Sequence, residues 1–181
     1  RAKYSTAPVV TAPRGLVLGG GCEVAMHASH TRALGETYIG LVEVGVGLLP
    51  AGGGCKEMLW RYMGNIPEGA DYDPNPFIQA AFKNIAMAEV AKSVEEARAM
   101  AYIRPTDTVT MDPDAQIRDA KQVALGMIAG GYQPPRPTRV KVPGSSGRSA
   151  IEAFLHQMHE AGWATDHDKV VGKKIAHVLT G

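Results

Sequence analysis

Two runs of three glycines, at 19–21 and 52–54, most strongly constrain how this chain can fold. Three glycines lose more backbone entropy on folding than any other tripeptide, so such a run indicates a turn that a side chain would obstruct. Each run follows an apolar, β-branched segment and precedes apolar residues at helical spacing. The sequence therefore predicts two strand–turn–helix units and an α/β fold.

The remainder of the chain is predicted to be mainly helical, with one short strand at 108–111. A capping box of Ser93 and Glu96 starts one of the helices, and Thr165 is a good N-cap for the last. The predicted helices after the second glycine run cover 53–63, 76–91, 93–102, 112–130, 147–161 and 166–179. A Pro-rich connector, QPPRPTRVKVPGSSG, precedes the last two helices.

Composition excludes several classes of protein. Lys and Arg total 19 and Asp and Glu total 18, so the net charge of +1 gives no reason to expect nucleic acid or acidic lipid as a partner. No apolar run approaches the ~18 residues that a membrane span needs. Two cysteines without framework spacing indicate a reducing compartment, and we expect a cytoplasmic location. Because the chain opens on Arg1 and enters a strand within a few residues, we also expect it to be part of a longer protein.

The first glycine turn can support proton transfer beside a carbonyl group. Gly20 lies where a helix begins, so its backbone N–H could stabilise a developing oxyanion. Glu23 is three residues on and faces the same side, and Glu43 is a lone carboxylate in an apolar, strand-like segment. If both glutamates face one pocket, they could hold a water and hydrate a double bond conjugated to a carbonyl.

The same residues have simpler explanations. A GGG turn alone is more often a tight strand-to-helix corner. Glu23 alone could be a favourable acid in a first helical turn, and Glu43 alone could pair with a buried arginine. The pairs His27 with His30 and His156 with His159 have helical spacing, but without further ligands they are better explained as polar helix faces, and we expect no metal.

The stretch PVVTAPRGLVLGGGCEVAMHASHTRALGETYIGLVEVGVGLLPAGGG resembles the signature of the crotonase (enoyl-CoA hydratase) superfamily. The resemblance implies the C-terminal part of a ββα superhelix followed by a helical C-terminal region. It implies that Glu23 and Glu43 are catalytic and that Gly20 N–H is an oxyanion-hole donor. It also implies that the following residues bind an acyl-CoA thioester: Gly19, Gly21, Val42, Leu48 and Pro50.

Later segments extend the resemblance over essentially the whole chain. FKNIAMAEVAKSVEEAR, DAKQVALGMIAGGYQPP and ATDHDKVVGKKIAHVLTG resemble the hydratase part of proteins in which it is fused behind an NAD-dependent 3-hydroxyacyl-CoA dehydrogenase. The implied reaction is hydration of trans-2-enoyl-CoA to 3-hydroxyacyl-CoA in fatty-acid β-oxidation. The implied regions are 1–64 (the C-terminal part of the ββα core), 65–133 (its helical continuation) and 134–181 (the connector and C-terminal helices).

The resemblance also implies parts that this chain lacks. The family's first oxyanion donor and most of its CoA contacts belong to an upstream segment, so we expect the chain alone to be nearly inactive. NAD would bind only the dehydrogenase part, and no cofactor is expected here: Gly45 and Gly47 do not continue into GxGxxG, because Pro50 stands at the third position. Self-association into a homo-oligomer is implied. Two alternatives remain, an enoyl-CoA isomerase and a non-catalytic scaffold for the dehydrogenase.

Overall fold

The structure is a computed structural model that describes residues 2–64, 66–67, 69–137 and 139–181. The chain forms two compact units: the first combines Arg1–Gly40 with Val90–Thr138, and the second combines Leu41–Glu89 with Arg139–Gly181. The division into three consecutive regions stays a prediction. Asn65 and Glu68, in the second predicted region, and Thr138, in the predicted connector, lie outside the described residues.

In chain order, the strands and α-helices are β1 (Val10–Thr11), β2 (Leu16–Leu18), α1 (Gly20–Met26), β3 (His30–Leu34), β4 (Tyr38–Gly40), α2 (Gly54–Met63), α3 (Asn75–Ala86), β5 (Val90–Ala91), α4 (Val94–Ala99), β6 (Thr108–Thr110), α5 (Gln116–Ala129), α6 (Ser145–Glu160) and α7 (Asp166–Thr180). Among the described residues, the short 3₁₀ helices Ala2–Tyr4 and Glu43–Val46 accompany these elements. The α/β class with a helical C-terminal region is therefore confirmed.

The strands of the first unit stack as successive turns of a spiral. Among the described residues they form two three-stranded sheets, in the orders β1-β3-β6 and β2-β4-β5. β1 pairs in parallel with β3, with Val10 opposite His30, and β2 pairs in parallel with β4, with Leu16 opposite Tyr38. The consecutive strands β1 and β2 therefore lie beside the next two strands, β3 and β4, in the same order. β6 pairs in parallel with β3 at the edge of the first sheet, and β5 pairs antiparallel with β4 at the edge of the second sheet.

A glycine with an unusual backbone connects β2 to α1. Gly19 has φ 56° and ψ −124°, a region that residues with a Cβ avoid. Its N–H donates to the Gly40 carbonyl at 2.9 Å, and its carbonyl accepts from Glu23 N–H at 3.0 Å. The same residue thus ends a strand pairing and begins a helix. Gly53, at φ 107°, has the corresponding position before α2.

Two predicted helices end earlier than the sequence indicated. α3 ends at Ala86 rather than near 91, and α4 ends at Ala99 rather than near Tyr102. Each is followed by an alanine at positive φ, Ala88 at 50° and Ala101 at 61°. The N–H of the residue after each alanine donates a hydrogen bond back to the last helical turn. In α4, Tyr102 N–H donates to the Ala97 carbonyl at 2.8 Å. Both ends are therefore Schellman motifs closed by alanine instead of glycine.

Two predicted helix starts also differ from the structure. α5 begins at Gln116 because residues 112–115 form a turn first, with Asp114 N–H donating to Asp112 Oδ1 at 3.0 Å. α6 begins at Ser145, after Gly144 at φ 65°, slightly ahead of the predicted start.

The second unit is built from α2, α3, α6 and α7, which contact one another. α6 and α7 approach closely where Leu155 lies over Gly172, since a Cβ at Gly172 would stand 2.7 Å from the leucine side chain. The predicted N-cap of α7 is confirmed: Thr165 Oγ1 accepts from Asp168 N–H at 3.1 Å, and the Asp168 carboxylate accepts from Thr165 N–H at 2.9 Å. In the part of the chain that the structure describes, no helix is both long and apolar enough to cross a membrane.

The C-terminus of α5 allows a sharp test of backbone conformation. Gly131 has φ 75°, whereas Gly126 lies inside the helix, and a Cβ at either position would meet no described atom within 4 Å. Gly126→Ala should raise the free energy of unfolding by about 0.5–1 kcal/mol, because alanine restricts the unfolded chain and favours helix. Gly131→Ala should lower it by about 1–2 kcal/mol, because alanine is strained in the left-handed region. Urea denaturation measures both, and changes of equal sign would contradict the assignment.

Candidate functional site

The first part of the candidate site is the turn at residues 19–23, in the first unit. Gly20 and Gly21 are exposed at the start of α1, whereas Glu23 is only 8% exposed. The first helical hydrogen bond runs from Glu23 N–H to the Gly19 carbonyl, so the Gly20 N–H precedes the helical ladder. An exposed glycine and a buried glutamate therefore lie within one turn of chain.

The end of α1 separates the two histidines that the sequence suggested as a helical pair. His27 caps the helix, and its Nδ1–H donates to the Glu23 carbonyl at 2.7 Å. His30 is not on the helix but in β3, because α1 stops at Met26. The helical spacing of His27 and His30 was therefore a wrong interpretation. His156 and His159 do share α6.

Asp107 is a buried carboxylate that the sequence did not reveal. It is 2% exposed and accepts hydrogen bonds from Thr31 N–H at 2.9 Å and from Arg104 N–H at 2.8 Å. The Arg104 guanidinium lies 3.3 Å from the same carboxylate and donates to the Ala28 carbonyl at 2.7 Å. Together these contacts hold the segment between α1 and β3, directly after the helix that carries Glu23.

His30 is held in its neutral form beside Asp107. Thr108 N–H donates to His30 Nε2 at 3.1 Å, so this nitrogen carries no proton, and Nδ1 faces Asp107 Oδ1 at 3.9 Å. Burial lowers the pKa of His30 below 6.5; the Asp107 carboxylate opposes this, and the nearby arginines reinforce it. The imidazole thus completes a polar network between β3 and β6.

The second part of the candidate site is in the second unit, and it corrects one prediction. Glu43 is not in a strand: it begins the 3₁₀ helix Glu43–Val46, here called the Glu43 turn. β4 ends at Gly40, and the turn is closed by Gly47 at φ 76°. Its hydrogen bonds run from Gly45 N–H to the Val42 carbonyl at 3.0 Å and from Leu48 N–H to the Glu43 carbonyl at 3.0 Å.

The other predicted residues of the second unit surround the Glu43 turn along the chain. Val42 is the N-cap of the turn, Glu43 itself is half-buried, Leu48 is 62% exposed and Pro50 is buried. Gly45 and Gly47 belong to this turn and not to a strand-to-helix phosphate turn, so these residues do not fit a dinucleotide site. The convergence of Glu23 and Glu43 on one pocket stays a prediction.

Over residues 2–64, 66–67, 69–137 and 139–181, no three His, Cys, Asp or Glu side chains are grouped so that they could hold an ion. His159 instead contacts two exposed carboxylates: its Nδ1 lies 3.3 Å from Glu160 Oε1, and its Nε2 lies 3.0 Å from Asp166 Oδ1.

Solved structures share the fold of this chain. An enoyl-CoA hydratase from Bacillus anthracis matches 97% of the chain and 55% of its own length, with a TM-score of 0.53 and 18% identity. An enoyl-CoA hydratase from Polaromonas sp. JS666 matches 98% of the chain and 55% of its own length, with a TM-score of 0.52 and 16% identity. The chain therefore has the crotonase-like fold, over about half of the length of these proteins.

Sequence relatives are longer proteins. The chain is 42% identical over 179 residues, 99% of its length, to a "Probable 3-hydroxyacyl-CoA dehydrogenase" from Bacillus subtilis, of which it spans 22%. It is 48% identical over 56 residues to a "Fatty acid oxidation complex subunit alpha" from Shewanella baltica; this match covers 29% of the chain and 8% of the relative. No protein-family model matches the chain.

The lowered pKa of His30 predicts how stability depends on pH. Because the unfolded histidine binds a proton more readily than the folded one, the free energy of unfolding should be fully retained above the unfolded pKa of 6.5 and fall as the pH drops through the folded pKa. His30→Gln removes the titrating group and offers an amide oxygen to Thr108 N–H, so the loss between about pH 7.5 and about pH 5 should be smaller.

Urea denaturation at both pH values measures this difference. The matched control is His177→Gln, which replaces an exposed histidine on α7. A pH dependence in His30→Gln as steep as in the wild-type protein would contradict the role assigned to His30.

Proposed function

We propose that this chain supplies the two-glutamate half of an enoyl-CoA hydratase site, which adds water to a trans-2-enoyl-CoA to give 3-hydroxyacyl-CoA. The crotonase-like fold supports this proposal, as do the relatives named for 3-hydroxyacyl-CoA dehydrogenase and fatty-acid oxidation. The observation that carries it is the 19–23 turn, where the exposed residue Gly20, whose N–H precedes the helical ladder, and the buried Glu23 lie within one turn of chain.

The proposed reaction needs one hydrogen-bond donor and two carboxylates. One glutamate removes a proton from water, and the resulting hydroxide oxygen forms a bond to C3 of the enoyl thioester. The electron pair of the C2–C3 double bond shifts toward the thioester oxygen, where Gly20 N–H stabilises the developing charge. The other glutamate delivers a proton to C2, so one water is added across the double bond.

In this proposal, Glu23 and Glu43 are the two carboxylates and the neighbouring residues shape the thioester site. Gly19 and Gly21 keep side chains away from the oxyanion, and Val42, Leu48 and Pro50 provide apolar contacts. A two-carboxylate site favours hydration, because an isomerase needs only one carboxylate to move a proton and uses no water.

The proposal places this activity in a longer protein. The chain spans about a fifth of its dehydrogenase-named relative and about half of the hydratase structures. The other oxyanion donor, the family's first, and most CoA contacts would come from an upstream segment. NAD would bind the dehydrogenase part, so no cofactor is assigned to this chain. We further propose a cytoplasmic homo-oligomer, and we expect the chain alone to be nearly inactive.

Removing either proposed carboxylate tests the function directly. In the longest natural protein that carries this sequence, Glu23→Gln and Glu43→Gln should each lower kcat for crotonyl-CoA hydration by about 10²–10⁴-fold, because each removes a general acid or base. The loss of the enoyl-thioester absorbance measures the rate. Glu36→Gln, at an exposed glutamate between β3 and β4, is the control and should leave the rate unchanged.

The outcomes of this experiment separate the candidate functions. If Glu23→Gln retained full hydration, the two-carboxylate mechanism would be wrong. If only one glutamate mattered and a 3-enoyl-CoA were converted to the 2-enoyl form, the protein would be an isomerase. If the wild-type protein turned over neither substrate, the chain would be a non-catalytic scaffold.

Gly20 permits a test of the oxyanion donor by itself. Gly20 is the first residue of α1, where proline is tolerated; it removes the backbone N–H and puts a ring carbon in its place. Gly20→Pro should lower kcat by about 10²–10³-fold, as expected for the loss of one oxyanion donor. Gly20→Ala keeps the N–H, and its Cβ would meet no described atom within 4 Å, so it should lower kcat much less than Gly20→Pro does. Equal rates for the two variants would contradict the assignment.

A further inference from the structure

A histidine from the C-terminal helix contacts the backbone of the Glu43 turn within the second unit. His167 is the second residue of α7, and its Nε2 lies 2.7 Å from the carbonyl oxygen of Gly47. Because a carbonyl oxygen only accepts, Nε2 carries the proton and donates it. The contact joins residues that are 120 positions apart in the sequence.

The imidazole also packs against Gly47. A Cβ at this position would stand 3.1 Å from Nε2 and 3.2 Å from Cδ2 of His167. Gly47 has φ 76°, so glycine is favoured there by its backbone as well as by the ring beside it. The ring therefore restrains the position of this peptide group in two ways.

Restraint of Gly47 extends to Glu43 through the turn itself. Gly47 N–H donates to the Val44 carbonyl at 2.9 Å, and Leu48 N–H donates to the Glu43 carbonyl at 3.0 Å. A 3₁₀ helix of four residues has poor hydrogen-bond geometry and little stability of its own. A fixed contact from outside the turn can therefore decide where its first residue lies.

The histidine is itself attached to a rigid support. The Thr165–Asp168 capping box fixes the first turn of α7, and hydrogen bonds from Thr165 lower the pKa of Asp168, which favours the charged capping form at neutral pH. Further along α7, the close approach of Leu155 to Gly172 holds the helix against α6. His167 is thus held by the packed helices α6 and α7 and not by a loop.

We propose that His167 is a positioning residue for Glu43: it anchors the Gly47 carbonyl and thereby sets the carboxylate for catalysis. His167 acts on backbone, so no contact with the reacting atoms is assigned to it. The catalytic half of this inference rests on the proposed hydratase function, whereas the anchoring half stands on the His167–Gly47 contact alone.

Three variants test the proposal in the longest natural protein that carries this sequence. His167→Phe keeps a ring and removes the donor; it should lower kcat for crotonyl-CoA about 10–100-fold, as a misplaced catalytic group does, with KM little changed. His167→Gln restores a side-chain N–H donor and should recover most of the loss. His177→Phe, at an exposed histidine on the same helix, should behave as the wild type.

Hydrogen exchange provides a readout that does not depend on activity. In His167→Phe, the amides of Gly45, Gly47 and Leu48 should exchange faster, while those in the middle of α7 stay protected. Unchanged exchange in the turn, or general loss of protection throughout α7, would overturn the anchoring. Faster exchange with an unchanged kcat would overturn the catalytic role. If the wild-type protein lacks hydration activity, the proposed function fails, and the exchange data still decide whether His167 holds the turn.

Discussion

The backbone conformation of Gly19 is the constraint on which the first unit and its half of the candidate site depend. At φ 56° and ψ −124°, this residue lets the chain leave β2 and enter α1 without an intervening loop. Its N–H completes the pairing toward Gly40, and its carbonyl accepts the first helical hydrogen bond, from Glu23. The position of the Gly20 donor and of the Glu23 carboxylate therefore follows from one residue that must lack a side chain.

Local signals explain which parts of the fold could be predicted. The glycine corners, the Thr165 cap and the helix ends at Gly131 and Gly162 are all marked by residue types that suit one backbone geometry. The ends of α3 and α4 use the same motif with Ala88 and Ala101, where the sequence carries no such mark. Alanine favours helix, so the pattern extended both helices past their true ends.

In the candidate site too, local signals account for what the sequence predicted, and long-range contacts for what it did not. The motif predicts Glu23 and Glu43 as site residues, and this assignment stays a prediction. The alternation VEVGVG has the period of a strand, but the structure forms a 3₁₀ turn there instead. Asp107 and His167 were missed for a different reason. Asp107 meets Thr31 across 76 positions and His167 meets Gly47 across 120, and neither lies in a periodic or capping pattern that points to its partner. Contacts of this kind arise from the folded arrangement and leave no local trace.

The two proposed carboxylates therefore depend on different kinds of support. Glu23 is fixed by the helix that contains it and by the Arg104–Asp107 contacts just beyond that helix. Glu43 begins a short turn whose other end is fixed by His167, from a region that the sequence suggested was a connector with appended helices. Because α7 contacts the backbone next to a proposed catalytic residue, the proposed function gives this C-terminal helix a part in the framework of the site. Under the proposed function, we expect a change at His167 to alter catalysis without any contact between this residue and the substrate.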